Sequence, residues 1–308
     1  MTQPDDAVSP QMRTRAAMGR DRLSAYVATA AALVLWASSF VAIRYCLRYF
    51  TPSGLAALRY AIAAVALVAL SPLIRGQGPT RAGWRDLPLF VLFGLLGIVG
   101  YNIGLNLGEQ TVTAATSSFV VAQIPIATVI LQFLFFNDRI SRGTFFGILL
   151  GLLGTTIIVL SETSGSGFGW GAIFIVIAIF SESAYFVLQK DAIHRLGAYR
   201  VNLFTILAAG ICMSPFLGDL FAAGFPDGAG PWIAVLYLGL FPAALAYFLW
   251  TYAIRELGPV ITATSLYALP FLTLLIGFLC LGEQPVPMAL CGGALALSGA
   301  YLAHRFRQ

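Results

Sequence analysis

Residues 123–138 read QIPIATVILQFLFFND, and 145 positions later residues 268–283 read ALPFLTLLIGFLCLGE, an apolar stretch of the same pattern. The correspondence extends without a gap from residues 94–157 to residues 239–302, and it matches prolines, glycines and an acidic residue as well as apolar residues. Shared hydrophobicity alone would not align such residues at one fixed spacing. The sequence therefore predicts two halves that arose by duplication.

The composition around this repeat is that of a membrane protein. Of the 308 residues, 59% are hydrophobic and 10% are charged, and the mean hydropathy is +0.85. A helix needs roughly 20 residues to cross a bilayer core of about 30 Å, and ten apolar stretches have about this length. The expected spans are residues 24–46, 53–74, 87–107, 113–136, 143–161, 169–190, 200–221, 231–253, 259–281 and 287–304.

These spans divide into two groups of five. Because five is an odd number, the second group must be inverted in the membrane relative to the first, an arrangement found in many transporters. The predicted fold is an all-α polytopic membrane protein of ten transmembrane helices, built as two inverted five-helix repeats. We assign residues 1–22 to a disordered tail, 23–162 to the first repeat, 163–168 to a linker and 169–308 to the second repeat.

The basic residues indicate how the chain is oriented. When successive loops are assigned alternately to the two sides of the membrane, fifteen of the eighteen Lys and Arg residues fall on the side that holds both termini. Cytoplasmic loops carry such an excess of positive charge, so both termini, including the tail, are expected in the cytoplasm. The net charge of +5 follows from this bias and does not favour a nucleic-acid partner.

Several local patterns resemble those of a known family. They are Leu35–Arg44 (LWASSFVAIR), then Pro52 and Arg59-Tyr60, and in each half an acidic residue, Asp138 or Glu283, before a glycine-spaced final helix. In this order they resemble the EamA-type members of the drug/metabolite transporter superfamily, and most of all the bacterial aromatic and neutral amino-acid exporters. The resemblance implies a ten-helix exporter of small metabolites in the bacterial inner membrane. One departure is Arg44, where many members have lysine.

Polar and aromatic side chains within the spans form the candidate substrate path. Glu182 is the one carboxylate that we place deep in a span, and such a residue indicates function by default because its charge is costly to bury. A protonated or hydrogen-bonded structural role is equally consistent with the sequence. Aromatic walls suit an apolar side chain, whereas amides and hydroxyls suit the polar ends of an amino acid. The predicted substrate-binding residues are Trp36, Ser39, Tyr101, Asn102, Asn106, Thr116, Gln123, Glu182, Tyr185, Tyr247, Trp250 and Tyr267.

Two prolines at equivalent positions, Pro125 and Pro270, predict breaks in spans four and nine. A proline frees a main-chain carbonyl four residues earlier, which a bilayer tolerates only where protein, water or ligand satisfies it. Paired breaks in inverted halves indicate a transporter site, although they also serve to bend helices for packing. Arg59 is expected to tie helices together rather than to contact substrate, and Arg44 and Lys190 to anchor helix ends at the membrane edge.

Small residues in spans five and ten predict that these two helices pack directly on one another, away from the substrate path. The sequence as a whole predicts a carrier that exports amino acids with apolar or aromatic side chains, and related small metabolites, by alternating access. Facilitated export is favoured, because one deep carboxylate is thin support for a proton pathway. A proton-coupled drug or metabolite exporter and a passive channel are the alternatives.

No nucleotide-binding or catalytic motif is present. We therefore expect neither an enzyme nor a cofactor or metal site. The expected partners are a small-molecule substrate and the lipid bilayer, and a single chain is expected to function as a monomer.

Overall fold

The computed structural model describes residues 10–71, 82–136, 141–161, 170–222, 226–257, 262, 265–284 and 286–306, and the regular secondary structure of these residues is all helical. Two π-helical segments, Gly94–Gly100 and Phe241–Leu245, join α3 to α4 and α11 to α12. The α-helices are α1 (Pro10–Cys46), α2 (Pro52–Leu70), α3 (Leu87–Phe93), α4 (Tyr101–Glu109), α5 (Ala114–Val121), α6 (Ile124–Phe136), α7 (Arg142–Ser161), α8 (Trp170–Leu196), α9 (Ala198–Met213), α10 (Leu217–Ala222), α11 (Gly230–Leu240), α12 (Ala246–Leu257), α13 (Leu269–Leu281) and α14 (Pro287–Arg305).

Among the described residues, seven helical stretches are long and apolar enough to cross a membrane. They are Arg22–Cys46, Pro52–Leu70, Trp84–Glu109, Ala114–Phe135, Trp170–Leu196, Tyr199–Leu220 and Gly230–Trp250. Three further apolar helical stretches are shorter, at Arg142–Ile158, Leu266–Leu281 and Pro287–Ala303. Each of the ten overlaps a span predicted from the sequence. The chain is a multi-pass helical membrane protein.

Helix boundaries in the second half repeat those in the first. Helix α4 begins at Tyr101 and α12 at Ala246, and α6 begins at Ile124 and α13 at Leu269, so each pair is separated by 145 residues. The two π-helical segments also overlap at this spacing. Turns of this type are rare and occur mostly at functional sites. Their recurrence was not predicted from the sequence, and within the described residues π-helix occurs only in these two segments.

Both predicted helix breaks are present. Helix α5 ends at Val121 and α6 begins at Ile124, so that Pro125 lies in the first turn of a new helix. In the second half a short 3₁₀ turn precedes α13, which has Pro270 in its first turn. Proline is well tolerated at this position because the first N–H groups of a helix have no partner within the helix.

Glycines bring α7 and α14 into main-chain contact. Gly147 lies against the main chain of Ala303, and Gly154 lies against that of Ala296; a Cβ atom at either glycine would overlap these atoms. Small residues allow membrane helices to approach this closely. The predicted packing of span five on span ten is confirmed.

The amino-terminal region differs from its sequence prediction. Helix α1 begins at Pro10, so residues 10–22, which we expected to be disordered, continue the first helix. The physical reason is local: proline suits the first turn of a helix, and the residues that follow are mostly good helix formers such as Ala, Arg, Met and Gln. Residues 1–9 of the expected tail and the expected linker, residues 163–168, lie outside the described residues.

Candidate functional site

An aromatic cluster joins α1 to α12. The Trp36 ring packs against Tyr247 and Trp250, with ring centroids 5.5 and 4.9 Å apart. The Trp36 indole N–H donates a hydrogen bond of 3.1 Å to the carbonyl of Pro242, in the π-helical segment that precedes α12. Tyr101 lies within electrostatic range of Tyr247. The structure thus brings four of the predicted substrate-binding residues into one region, and each of them is partly exposed.

A buried polar network adjoins this aromatic cluster. Asn102 on α4 accepts a hydrogen bond from Arg59 Nη1 (3.2 Å), and its Nδ2 donates to the Tyr60 hydroxyl (3.0 Å) and to the Ile98 carbonyl (2.9 Å). The Tyr60 hydroxyl is also hydrogen-bonded to Tyr247. The Arg59 guanidinium lies 5.3 Å from the centroid of the Tyr60 ring, a favourable cation–π distance. Helices α2, α4 and α12 therefore meet at one connected set of polar groups.

Glu182 on α8 is buried, and its Oε2 atom has no hydrogen-bond partner among the described residues. The hydroxyls of Tyr60, Tyr101, Tyr185 and Tyr247 lie within electrostatic range of this carboxyl group. Its side chain therefore faces the helix bundle rather than lipid. A buried carboxyl oxygen without a partner is costly, which makes Glu182 a candidate for contact with a ligand.

Tyr185 is held in place by a glycine of the first half. A Cβ atom at Gly97, in the first π-helical segment, would overlap the Tyr185 ring, so the absence of a side chain at Gly97 allows the ring to approach. The ring also packs edge-on against Phe93, with centroids 5.5 Å apart. Its hydroxyl donates a hydrogen bond of 3.2 Å to Asn202 Oδ1 on α9. Tyr185 therefore connects α8 to α3, to the first π-helical segment and to α9.

Three predicted residues make local hydrogen bonds instead of joining this cluster. The Ser39 hydroxyl donates to the Trp36 carbonyl on its own helix (2.6 Å), and Gln123 Nε2 donates to the Phe119 carbonyl (3.3 Å). Thr116 accepts a hydrogen bond from the hydroxyl of the residue that caps α5, at 2.9 Å. All three side chains are buried. In the structure these side chains bond to their own helix or its cap. The sequence alone does not distinguish such a polar residue from one that contacts substrate.

Two further predicted residues lie at other places in the bundle. Asn106 Nδ2 donates to the Pro52 carbonyl at the start of α2 (2.8 Å). The Tyr267 hydroxyl donates to the Ala300 carbonyl on α14 (2.9 Å), and its ring packs near the α7–α14 surface. The structure does not bring Tyr267 together with Trp36, because Tyr267 lies in the 3₁₀ turn ahead of α13 that contacts α14.

A second polar cluster was missed by the sequence analysis. Arg44 Nε forms an ion pair of 3.1 Å with Glu283 Oε1, and Arg44 Nη1 donates to the main-chain carbonyl of Glu109. Glu283 Oε2 accepts the N–H of Ala114 at the start of α5 (3.1 Å). Arg44, which we expected to anchor a helix end at the membrane edge, thus bridges the two halves through its planar guanidinium. Lys190, for which we expected the same role, is exposed.

Glu109 was also missed, because it lies two residues beyond the predicted end of span three. It is the last residue of α4 and is fully buried. The helical spacing contained a usable indication, because Asn102, Asn106 and Glu109 are separated by four and three residues and share one face of α4.

Within the described ranges, no group of three or more His, Cys, Asp or Glu side chains is arranged to hold a metal ion.

Comparison with known proteins agrees with this architecture. The EamA-like transporter family matches the chain twice, at residues 23–160 and 169–305. An uncharacterized transporter of Bacillus subtilis, YdfC, is 34% identical over 265 residues, which are 86% of each chain. A probable terminal-alkyne amino-acid exporter of Streptantibioticus cattleyicolor is 31% identical over 274 residues, 89% of this chain and 91% of the relative. YedA of Escherichia coli, an uncharacterized inner membrane transporter, is 29% identical over 263 residues, 84% of this chain and 83% of the relative.

A solved crystal structure shares the fold. It aligns with a TM-score of 0.62 at 22% sequence identity, over 93% of this chain and 99% of that chain. The family matches confirm the resemblance inferred from the sequence, and they confirm a transporter rather than an enzyme, because the matched family and relatives are transporters. The chain belongs to the EamA-like transporter family of multi-pass membrane proteins.

Proposed function

We propose that this transporter exports amino acids with apolar or aromatic side chains, together with related small metabolites. The observation that carries the proposal is the contact between the Trp36–Tyr247–Trp250 cluster and the buried network at Asn102. An apolar side chain fits among aromatic rings, and the polar ends of an amino acid need buried hydrogen-bonding groups. The relative described as a probable terminal-alkyne amino-acid exporter supports the same substrate class.

The proposed architecture is ten membrane spans in two inverted five-helix repeats, residues 23–162 and 169–308. Support comes from the helix boundaries that recur 145 residues apart and from the twofold family match. In this arrangement the three shorter apolar helical stretches are spans five, nine and ten, and α7 and α14 pack at the pseudo-twofold axis. Residues 163–168 link the repeats, and one chain forms the complete transport path.

We propose that the protein resides in a bacterial inner membrane with both termini, including residues 1–22, in the cytoplasm. The excess of Lys and Arg on the terminal side supports this orientation. A relative described as an inner membrane transporter supports the location. Fusion of a periplasmic reporter enzyme to either terminus should give no activity, and an active carboxy-terminal fusion would contradict the proposed topology.

The proposed mechanism is alternating access with facilitated export down the substrate gradient. A solute that metabolism concentrates in the cytoplasm needs no pump to leave the cell. Proton-coupled export through Glu182 is the second candidate, favoured by the buried carboxyl oxygen that has no partner among the described residues. A coupling carboxylate must alternate between charged and neutral states as the site faces each side. A passive channel is the third candidate.

Reconstitution of the purified protein into liposomes tests the proposal. Vesicles loaded with unlabelled phenylalanine should accumulate labelled phenylalanine by counterflow, and the initial rate should saturate with concentration. Leucine should compete and a sugar nucleotide should not. Failure to accumulate any labelled amino acid by counterflow would contradict an amino-acid carrier. A flux that rises linearly with concentration, without saturating, would also contradict it. Trp36→Ala serves as the site variant and Phe306→Ala, at an exposed helix end, as the control.

A further inference from the structure

One face of α4 presents three polar side chains toward neighbouring helices. Asn102, Asn106 and Glu109 occupy this face at helical spacing, and each is almost completely buried, with exposed fractions of 1%, 1% and 0%. Asn102 has partners for both its oxygen and its nitrogen. Asn106 Oδ1 and both carboxyl oxygens of Glu109 have no hydrogen-bond partner among the described residues. The face therefore holds three buried acceptor atoms that are not used within the described structure.

Arg59 on α2 supplies the opposite charge. Its side chain is 5% exposed, its Nη1 donates to Asn102, and its Nε has no hydrogen-bond partner among the described residues. The ion pairs among the described residues are Arg44–Glu283 and Asp86–Arg195, so no carboxylate there lies within 4.0 Å of Arg59. A buried guanidinium without a counter-charge is costly, and arginine geometry suits a carboxylate.

The charged groups within electrostatic range of Glu109 are Arg44 on α1, Arg59 on α2 and Glu283, which follows α13. Arg44 and Glu283 neutralise one another through their ion pair, and Arg44 donates to the main chain of Glu109 rather than to its carboxyl group. Arg59 and Glu109 are thus within electrostatic range but are not paired. Tyr101 also lies within electrostatic range of both. Arg59 and Glu109 are therefore two buried groups that form no ion pair with each other within the described residues.

We propose that Arg59 and Glu109 bind the two ends of an α-amino-acid head group, Arg59 holding the substrate carboxylate and Glu109, with Asn106 Oδ1, holding the ammonium group. This inference rests on the proposed function and adds that the substrate is a zwitterion recognised at both charges.

The helical rise of α4 sets the scale of the separation between Arg59 and Glu109. Arg59 is bonded to Asn102, which precedes Glu109 by seven residues, about 10 Å along a helix axis. The Glu109 side chain leans back toward the start of its helix and so shortens the gap. An α-amino acid carries its carboxylate and its ammonium group on the same carbon atom. A head group placed between Arg59 and Glu109 can therefore contact both residues at once. The side chain of the ligand is then placed against the aromatic cluster, because Tyr101 lies within electrostatic range of Tyr247, which contacts Trp36.

Counterflow of labelled L-phenylalanine in proteoliposomes tests the inference through competition by two analogues. Phenylalaninamide lacks the carboxylate, and 3-phenylpropionate lacks the ammonium group. With the wild-type protein each should compete at least about tenfold less well than L-phenylalanine, because each leaves one buried charge unpaired. Arg59→Gln should lose discrimination against the amide while retaining it against 3-phenylpropionate, and Glu109→Gln should show the reverse. Arg48→Gln removes an exposed cation and should change neither.

Several results would overturn the inference. If all three compounds compete equally well with the wild-type protein, the head-group site is overturned while the proposed function stands. The same holds if Arg59→Gln and Glu109→Gln both discriminate between the compounds as the wild-type protein does. A uniform slowing of every substrate in Glu109→Gln would assign Glu109 to gating with Arg44. Lack of counterflow for any amino acid would overturn the proposed function and the head-group site with it. If a Gln variant does not fold, Arg59→Lys or Glu109→Asp is used in its place. In addition, L-phenylalanine must raise the melting temperature of the wild-type protein more than either analogue does.

Discussion

Replacement of Glu283 by Gln tests whether the ion pair between the two halves stabilises the fold. Glu283 accepts hydrogen bonds from Arg44 and from the Ala114 N–H, and the Arg44 and Glu283 side chains are 25% and 15% exposed. Removal of one partner of a buried pair costs about 3–5 kcal/mol, whereas exposed pairs contribute at most about 1 kcal/mol. For this partly exposed pair we expect Glu283→Gln to lower the free energy of unfolding by about 2 kcal/mol.

A double-mutant cycle with Arg44→Gln isolates the interaction, with the free energy of unfolding measured in mixed detergent micelles. Because either change removes the same pair, the double variant should be little less stable than the worse single variant, and the coupling energy should be about 1–2 kcal/mol. Lys190→Gln removes an exposed cation and should have almost no effect. Additive losses, with a coupling energy below about 0.3 kcal/mol, would refute the pair as an energetic link between the halves.

Three other changes have defined outcomes. Trp36→Ala should reduce phenylalanine counterflow about tenfold, since it removes the ring that contacts both other aromatic residues of its cluster; unchanged transport at normal membrane abundance would exclude Trp36 from the path. Gly154→Leu should destabilise the protein by about 3 kcal/mol or more, because the new side chain would overlap α14. Gly218→Leu, with no atom near its Cβ position, should not destabilise it. Equal melting temperatures for the two variants would contradict the packing of α7 on α14. Glu182→Gln should preserve counterflow, because the amide keeps an oxygen that can accept a hydrogen bond from a ligand, and wild-type protein should show no accumulation driven by a pH gradient. Uphill accumulation that this variant loses would establish proton coupling instead.

The repeat and the positions of the apolar helices could be predicted because they depend on spacing and hydrophobicity, which are local properties of the chain. The breaks near Pro125 and Pro270 were predictable for the same reason, since proline lacks the N–H that an uninterrupted helix requires. The π-helical segments were not, because a change of hydrogen-bond register within an apolar helix has no distinctive composition.

The polar residues were harder to interpret than the apolar ones. Glu182 and Asn102 were recognised because lipid penalises polar groups at membrane depth. Glu109 and Arg44 lie near span ends, where the sequence does not distinguish a solvated side chain from one buried against another helix. Tyr267 was grouped with the other aromatic residues although its hydroxyl bonds to α14, because composition alone does not state which helix a side chain will contact.

A change of hydrogen-bond register in the π-helical segments would turn side chains without bending a helix. The segment Gly94–Gly100 lies immediately before Tyr101 and Asn102, and Phe241–Leu245 lies just before Tyr247. An α-helix advances about 1.5 Å and rotates about 100° with each residue. A one-residue change of register within either segment would therefore swing every side chain beyond it through a quarter of a circle or more. Tyr101, Asn102 and Tyr247 would then leave their present partners together, as a unit.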